Sequence, residues 1–245
     1  MYWLNLTRWP AILRRGRGYE KMWGMVAEAI QSLAELETVL LQQRNVLESE
    51  RDIFYTPVYA RAIHAPEKLF GMEAAVERLA RAGKRGERVL VYGDYDTDGL
   101  TAAAIVTLVL RQLGARVVPF IPHRFDDGYG LNQRILAELL PEFDVLVTVD
   151  CGVSNVAEVV WVTAQGKDVI IVDHHELPVG DLPPALAVLH PRHPLGNYPF
   201  AYLSGAGVAW KLAAALLQDQ NAEQDLLDLA LLGTVADMVP LLGEN

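Results

Sequence analysis

The sequence predicts an α/β fold with a mainly parallel five-stranded sheet flanked by helices, preceded by an N-terminal helical extension. From residue 87 onward, short runs that are apolar throughout alternate with segments of helical periodicity. Such strands are buried on both faces, which requires a parallel sheet with helices on each side. Upstream, apolar residues recur at helical spacing alone.

The first predicted elements are helical. Residues 25–51 form one long predicted helix, because apolar side chains recur there along one helix face. The following segment contains Pro57 and Pro66 and is interpreted as a connector, since proline interrupts helices. Another helix is predicted over residues 73–82.

The rest of the chain alternates between strands and helices. The predicted strands are residues 87–93, 115–122, 144–150, 167–173 and 185–190. The predicted helices are residues 100–114, 131–140, 153–166, 206–218 and 223–236. Glycines and prolines fall between these runs, where turns are expected.

Composition and charge narrow the classes of function. Hydrophobic residues make up 51% of the chain and charged residues 21%, which supports a folded core. The formal net charge of -10 argues against binding nucleic acid through a general basic surface. It does not exclude a nuclease, because carboxylates that bind cations count as negative until the cations are present.

The cysteine content and the apolar runs indicate the compartment. Cys151 is the only cysteine, so no internal disulfide can form, which fits a reducing cytoplasm. The apolar stretches are too short to span a membrane. The N-terminal arginines follow an apolar run, the reverse of a signal peptide. We therefore expect a cytoplasmic protein with no membrane partner.

Three aspartates follow the first strand of the alternating region. Asp94, Asp96 and Asp98 occupy every second position. If packed together, their carboxylates would repel one another, and a hard divalent cation with oxygen ligands relieves that repulsion. A solvated acidic turn is an equally good interpretation of this segment alone.

Further candidate ligands follow the third and fourth strands. Asp150 ends the third strand, and Asp173, His174 and His175 end the fourth. The carboxyl ends of parallel strands share one edge of a sheet, so we expect these side chains beside the acidic cluster. A lone histidine is more often structural, but adjacent histidines point in different directions, and one can bind metal while the other meets substrate. Asp173 can orient a neighbouring imidazole.

Two more residues have competing interpretations. Asp237 lies near the end of an otherwise apolar helix, where a carboxylate needs a partner, or it is only the C-cap of that helix. Cys151 is adjacent to Asp150, and we interpret it as a small packing residue rather than a nucleophile.

Several segments together resemble a known family. In order and spacing, they are similar to successive motifs of the RecJ branch of the DHH phosphoesterases, over roughly residues 51–245. These segments are YGDYDTDG, GYGL at 128–131, VTVDCG, DHH at 173–175, LSGAGVAWK at 203–211 and LLGTVADMVPL at 231–241.

The resemblance implies a pair of divalent ions. Manganese is the expected ion, and magnesium is the alternative. The implied metal ligands are Asp94, Asp96, Asp98, Asp150, His174 and Asp237. Asp150 would bridge the ions, and Asp94 stands where related branches place a histidine. His175 would face the scissile phosphate, and the catalytic residues would be His175, Asp98 and Asp150. Asp173 would contact the ligands without binding a metal itself.

Substrate-binding residues are also implied by the resemblance. A phosphate-contacting loop is expected at Arg124, Gly128, Tyr129 and Gly130. The segment Ser204–Gly207, including Gly205, would direct backbone N–H groups towards substrate at a helix start.

The resemblance implies metal-dependent removal of nucleotides from the 5′ end of single-stranded DNA, in repair and recombination. The implied partners are single-stranded DNA and a helicase or a single-strand-binding protein. Residues 1–51 are expected to form the extension and residues 52–245 the catalytic domain. The second domain associated with this family is expected to be absent, which would impair substrate grip. The oligomeric state stays open.

Other functions were weighed against this one. A dinucleotide-binding enzyme is rejected, because aspartates stand where its glycine fingerprint would open the first helix. A phosphodiesterase for short oligonucleotides or dinucleotides would use the same metals, but those branches typically have a histidine at the position of Tyr92. A non-catalytic DNA-binding module is disfavoured, because such relatives tend to lose ligands and every ligand position here is filled.

Overall fold

The computed structural model describes residues 32–44, 46–56, 63–218 and 224–245. Internal contacts divide the chain into two compact units, Met1–Arg61 and Ala62–Asn245. The expected boundary between residues 51 and 52 therefore falls inside the first unit. Arg51 lies in the first unit, where it forms an ion pair with Glu37 at 2.5 Å.

The described part of the first unit contains two helices. Helix α1 (Leu33–Gln43) and helix α2 (Arg51–Tyr55) are separated by a 3-10 turn at Glu48–Glu50. The prediction of one helix over residues 25–51 is therefore wrong beyond Gln43, and residues 25–31 lie outside the described residues. The break has a local cause, because the N–H of Leu47 donates to the Glu50 side chain and starts a new turn.

The second unit contains the predicted sheet. All neighbouring strands are parallel, in the order β2-β1-β3-β4-β5, which confirms the predicted fold class. The strands are β1 (Arg88–Gly93), β2 (Arg116–Phe120), β3 (Val145–Val149), β4 (Asp168–Val172) and β5 (Ala187–Leu189). Strand β3 is buried along its whole length, as its uninterrupted apolar sequence indicates.

Helices flank the sheet at each predicted place, with shifted ends. They are α3 (Met72–Arg85), α4 (Thr97–Gln112), α5 (Gln133–Leu139), α6 (Val156–Ala164), α7 (Gly205–Leu217) and α8 (Leu227–Ala236). Helix α4 begins earlier than expected because Asp96 caps it, accepting the N–H of Gly99 at 2.9 Å. Within the described ranges, no helix combines the length and the apolar character needed to cross a membrane.

A buried ion pair fixes the last residues of the unit against helix α7. Lys211 contacts Glu244, and both side chains are almost completely buried. Glu244 also accepts the N–H of His64 at 2.8 Å and the hydroxyl of Tyr198 at 2.7 Å. Because every partner is hydrogen-bonded, this cluster holds α7 and the segment after α8 in one arrangement.

We expect Arg78→Ala to lower the free energy of unfolding by about 2–3 kcal/mol, because a buried charged partner is lost. The Arg78 side chain is 7% exposed and contacts Glu87 at 2.7 Å and Asp168 at 2.5 Å. The matched control is Arg85→Ala, since Arg85 also faces Glu87 but is 68% exposed. Urea unfolding should separate the two variants, and equal effects would contradict the assignment.

Candidate metal centre

The parallel register aligns the ends of the central strands. Gly93 pairs with Val149, and Val149 pairs with Val172. The residues that follow these three positions are Asp94, Asp150 and Asp173. All three side chains are buried. The sheet therefore places one carboxylate at the same level on each of three adjacent strands.

The loop after β1 adds two more carboxylates. Asp96 caps α4, and Asp98 lies in the first turn of that helix with 1% of its surface exposed. A Cβ atom on Gly99 would lie 2.5 Å from the carbonyl oxygen of Asp94, so only glycine permits this tight turn. Asp94 and Asp98 are buried and only Asp96 is exposed, so the segment is not a fully solvated acidic turn.

Helix α7 begins against the carboxylates. The N–H groups of Gly205 and Ala206 donate to the two oxygens of Asp98, at 2.6 and 2.8 Å. The N–H of Gly207 donates to Ser204 Oγ at 3.1 Å. These N–H groups are therefore engaged inside the protein, which differs from the substrate contact predicted for Ser204–Gly207.

Asp237 is both a helix cap and a member of the cluster. It is the C-cap residue of α8. Its Oδ2 atom also lies 3.6 Å from His174 Nε2, which in turn lies 3.6 Å from Asp98 Oδ2. The two interpretations of Asp237 are therefore compatible.

The potential ligand atoms form two triads that share no residue, and a third group, Asp150, His174 and His175, that shares one residue with each of them. Asp98, His174 and Asp237 make one triad, and the atoms of each triad lie within 4.8 Å of one another. The other triad consists of Asp94, Asp96 and Asp150. His174 Nε2 and Asp150 Oδ1 connect the triads at a distance of 3.2 Å. Each triad can hold one cation, with oxygen and imidazole nitrogen as ligands.

Two buried atoms between the triads lack hydrogen bonds. Asp150 Oδ1 and His174 Nε2 have no hydrogen-bond partner among the described residues. Burial, followed by the charge of Asp98, raises the pKa of Asp150 far above its ordinary range, and burial also raises the pKa of Asp94 and of Asp237. A bound cation satisfies both atoms and reverses these shifts, so the residues fit a metal.

His175 differs from its neighbour His174. Its Nδ1 atom donates to Asp173 Oδ1 at 2.8 Å, and its Nε2 atom lies 3.1 Å from the Tyr129 hydroxyl. The hydrogen bond to Asp173 raises the pKa of His175. Asp173 also accepts the N–H of Val153 at 2.9 Å, so it orients the imidazole from a fixed position. Because Nδ1 is already hydrogen-bonded to Asp173, Nε2 is the ring nitrogen left to face Tyr129 and the cleft.

The turn that carries Tyr129 is stabilised by Asn155 and Tyr92, for which the sequence predicted no such role. Asn155 Oδ1 accepts the N–H of Leu131 at 3.2 Å, and the hydroxyl of Tyr92 donates to the Gly130 carbonyl at 3.1 Å. Gly130 has a φ of 78°, and a Cβ atom there would lie 2.8 Å from Asn155 Oδ1. Gly128 also has a positive φ, of 80°.

His190 and Arg192 support the DHH segment and were likewise missed. His190 Nε2 donates to the His175 carbonyl at 2.8 Å, and Arg192 donates to the His174 carbonyl at 3.0 Å. A signal did exist for His190, since it directly follows β5 just as Asp173 follows β4. Both residues therefore fix the backbone of His174 and His175 through hydrogen bonds to their carbonyl groups.

The sequence matches a known family. Residues 88–234 match the DHH family, N-terminal domain. The chain belongs to the DHH family. It is 44% identical over 181 residues to the single-stranded-DNA-specific exonuclease RecJ of Bacillus subtilis, covering 74% of this chain and 23% of that protein. The DHH chain thus spans about a quarter of the length of this relative.

Two solved structures have the same architecture. An exonuclease RecJ bound to manganese matches with a TM-score of 0.65 and 42% identity, over 72% of this chain and 46% of that one. RecJ from Thermus thermophilus in complex with Mn²⁺ matches with a TM-score of 0.67 and 36% identity, over 84% of this chain and 28% of that one.

We expect Gly205→Ala to lower the affinity for Mn²⁺ at least about tenfold, because its Cβ would lie 2.5 Å from Asp150 Oδ1. Gly207→Ala is the matched control in the same helix, since its nearest neighbour would be Leu203 Cδ2 at an ordinary 3.4 Å. Isothermal titration calorimetry measures both affinities, and circular dichroism verifies folding. Equal Mn²⁺ affinities in the two variants would contradict the packing argument.

Asp150→Asn should stabilise the metal-free chain, because it removes a buried carboxylate whose ionisation burial disfavours. Asn also tolerates the φ of 58° at this position. We expect the melting temperature in EDTA to rise by about 2–4 °C, and the stabilisation by Mn²⁺ to be lost. Thermal unfolding with and without Mn²⁺ measures both effects. A variant stabilised by Mn²⁺ as strongly as the wild type would show that Asp150 is not a ligand.

Proposed function

We propose that this DHH chain hydrolyses phosphodiester bonds of single-stranded DNA from the 5′ end, with two divalent ions in the metal centre. Manganese is the favoured ion and magnesium the alternative. The observation that carries the proposal is the pair of ligand triads, joined by two buried atoms that have no hydrogen-bond partner among the described residues. The two triads that share no residue provide separate positions for two ions, and the group Asp150, His174 and His175 shares one residue with each of them.

The residues of the centre divide into two tasks. Asp94, Asp96, Asp98, Asp150, His174 and Asp237 would hold the ions. Bound ions supply positive charge that activates water as a nucleophile and stabilises negative charge on the phosphoryl oxygens. The N–H groups at the start of α7 hold Asp98 in place, so its carboxylate needs no rearrangement to act as a ligand.

His175 is the proposed phosphate-facing group. The hydrogen bond to Asp173 raises its pKa, and in the protonated form its Nε2 atom would donate a hydrogen bond to a non-bridging oxygen as charge develops there. Asp173 fixes the ring orientation from behind. The hydroxyl of Tyr129 is next to His175 Nε2 and would contact the same phosphate.

The relatives support the choice of substrate. The Bacillus subtilis and Thermus thermophilus proteins are single-stranded-DNA-specific exonucleases by name, at 44% and 42% identity. We extend that substrate to this chain, with a cytoplasmic location and with a helicase or a single-strand-binding protein as the source of unpaired strands. Repair and recombination are the processes that consume such strands.

One observation weighs against hydrolysis of short oligonucleotides or dinucleotides as the main activity. Branches with that activity typically place a histidine at the position of Tyr92. Here the Tyr92 side chain is buried and its hydroxyl donates to Gly130, so it supports the turn instead of binding metal. A purely DNA-binding role is disfavoured because both triads keep all their ligands.

The test measures Mn²⁺-dependent release of mononucleotides from 5′-labelled single-stranded DNA, beside duplex DNA, a dinucleotide and pyrophosphate. We expect activity on single strands, and a loss of about 100-fold in kcat for His175→Ala with Mn²⁺ affinity retained. The control is Asp181→Asn, a substitution of a polar side chain at an exposed position.

Other outcomes would contradict specific parts of the proposal. Activity confined to the dinucleotide or to pyrophosphate would assign the chain to another branch of the family. Loss of Mn²⁺ binding in His175→Ala would mean that His175 is a ligand rather than a phosphate-facing donor. Absence of hydrolysis with two ions bound would leave the metal centre intact and refute the activity of this chain.

A further inference from the structure

A hydrogen-bonded turn after β2 presents an exposed phenylalanine. The carbonyl of His123 accepts the N–H of Asp127 at 2.9 Å, and Asp127 Oδ2 accepts the N–H of His123 at 2.8 Å. Arg134 and Asn132, at the start of α5, donate to Asp127, each at about 3 Å. Phe125, inside this closed turn, is 87% exposed. Phe125 is therefore an exposed ring on a turn that several hydrogen bonds hold in shape.

The neighbouring residue joins the turn to the metal centre. The guanidinium of Arg124 lies 5.1 Å from the centroid of the Tyr95 ring, within the range of a cation–π contact. Tyr95 stands between two members of the acidic triad, Asp94 and Asp96. The turn that carries Phe125 thus contacts, through Arg124, the loop that carries two of the proposed metal ligands.

We propose that Phe125 stacks on an unpaired base of the strand whose phosphate lies at the metal centre. This inference rests on the proposed function. Every base has a π-face, so stacking on an exposed ring accepts any sequence. The positive charge of Arg124 suits the adjoining phosphate, whereas a purely apolar protein segment would leave that charge unused. Bases inside a duplex are covered on both faces, so Phe125 favours single strands.

The test compares binding of two short single strands, one with natural bases and one fully abasic, labelled at the 3′ end. Fluorescence anisotropy in Ca²⁺ measures affinity without depending on turnover. We expect Phe125→Ala to weaken binding of the natural strand about tenfold and to leave binding of the abasic strand unchanged. Phe125→Trp should restore the wild-type difference between the strands.

Phe70→Ala is the matched control. Phe70 is 43% exposed, and its ring stacks on the His193 ring with centroids 4.3 Å apart. His193 follows β5, at the opposite edge of the sheet from β2. Loss of an exposed ring there should leave binding of both strands unchanged.

Equal weakening of both strands by Phe125→Ala would overturn the stacking role, because the turn would then act through the backbone of DNA. No change in either strand would also overturn it. A wild-type chain that binds neither strand would overturn the stacking role as well. Hydrolysis in Mn²⁺ is scored separately, so a chain that binds and stacks without cleaving refutes the proposed activity alone.

Discussion

Repulsion among carboxylates buried at one edge of the sheet is the constraint on which the site depends. Asp98 and Asp150 are each 1% exposed. Two like charges about 4 Å apart repel by about 4 kcal/mol at an effective dielectric constant of 20. The N–H groups at the start of α7 offset part of this cost at Asp98. The remainder is what a divalent cation would neutralise, so folding and metal binding are coupled.

Close packing makes the centre a joint product of the sheet and the last helices. A Cβ atom on Gly233 of α8 would lie 2.5 Å from Asp98 Oδ1, and one on Gly205 of α7 would lie 2.5 Å from Asp150 Oδ1. Glycine at these two positions allows helix backbones to approach carboxylates directly. The buried pair of Lys211 and Glu244 joins α7 to the segment that follows α8.

The sheet and the clustering of the candidate ligands could be predicted because both follow from simple regularities. Uninterrupted apolar runs specify buried parallel strands, and parallel strands bring Asp94, Asp150 and His174 to one edge. Contacts of single side chains with distant backbone, such as that of Asn155 with Leu131, leave no periodic signal. The helix predicted through residue 51 was wrong because periodicity does not register the break after Gln43.

The spread of the proposed ligands along the chain has a consequence for biosynthesis. The first of them is Asp94 and the last is Asp237, and each triad draws on segments that are distant in sequence. A nascent chain can therefore complete the triad of Asp94, Asp96 and Asp150 only after Asp150 has been synthesised. The triad of Asp98, His174 and Asp237 requires α8 to have emerged. The proposed nuclease thus stays inert during synthesis until α8 has been made and has packed against the rest of the domain.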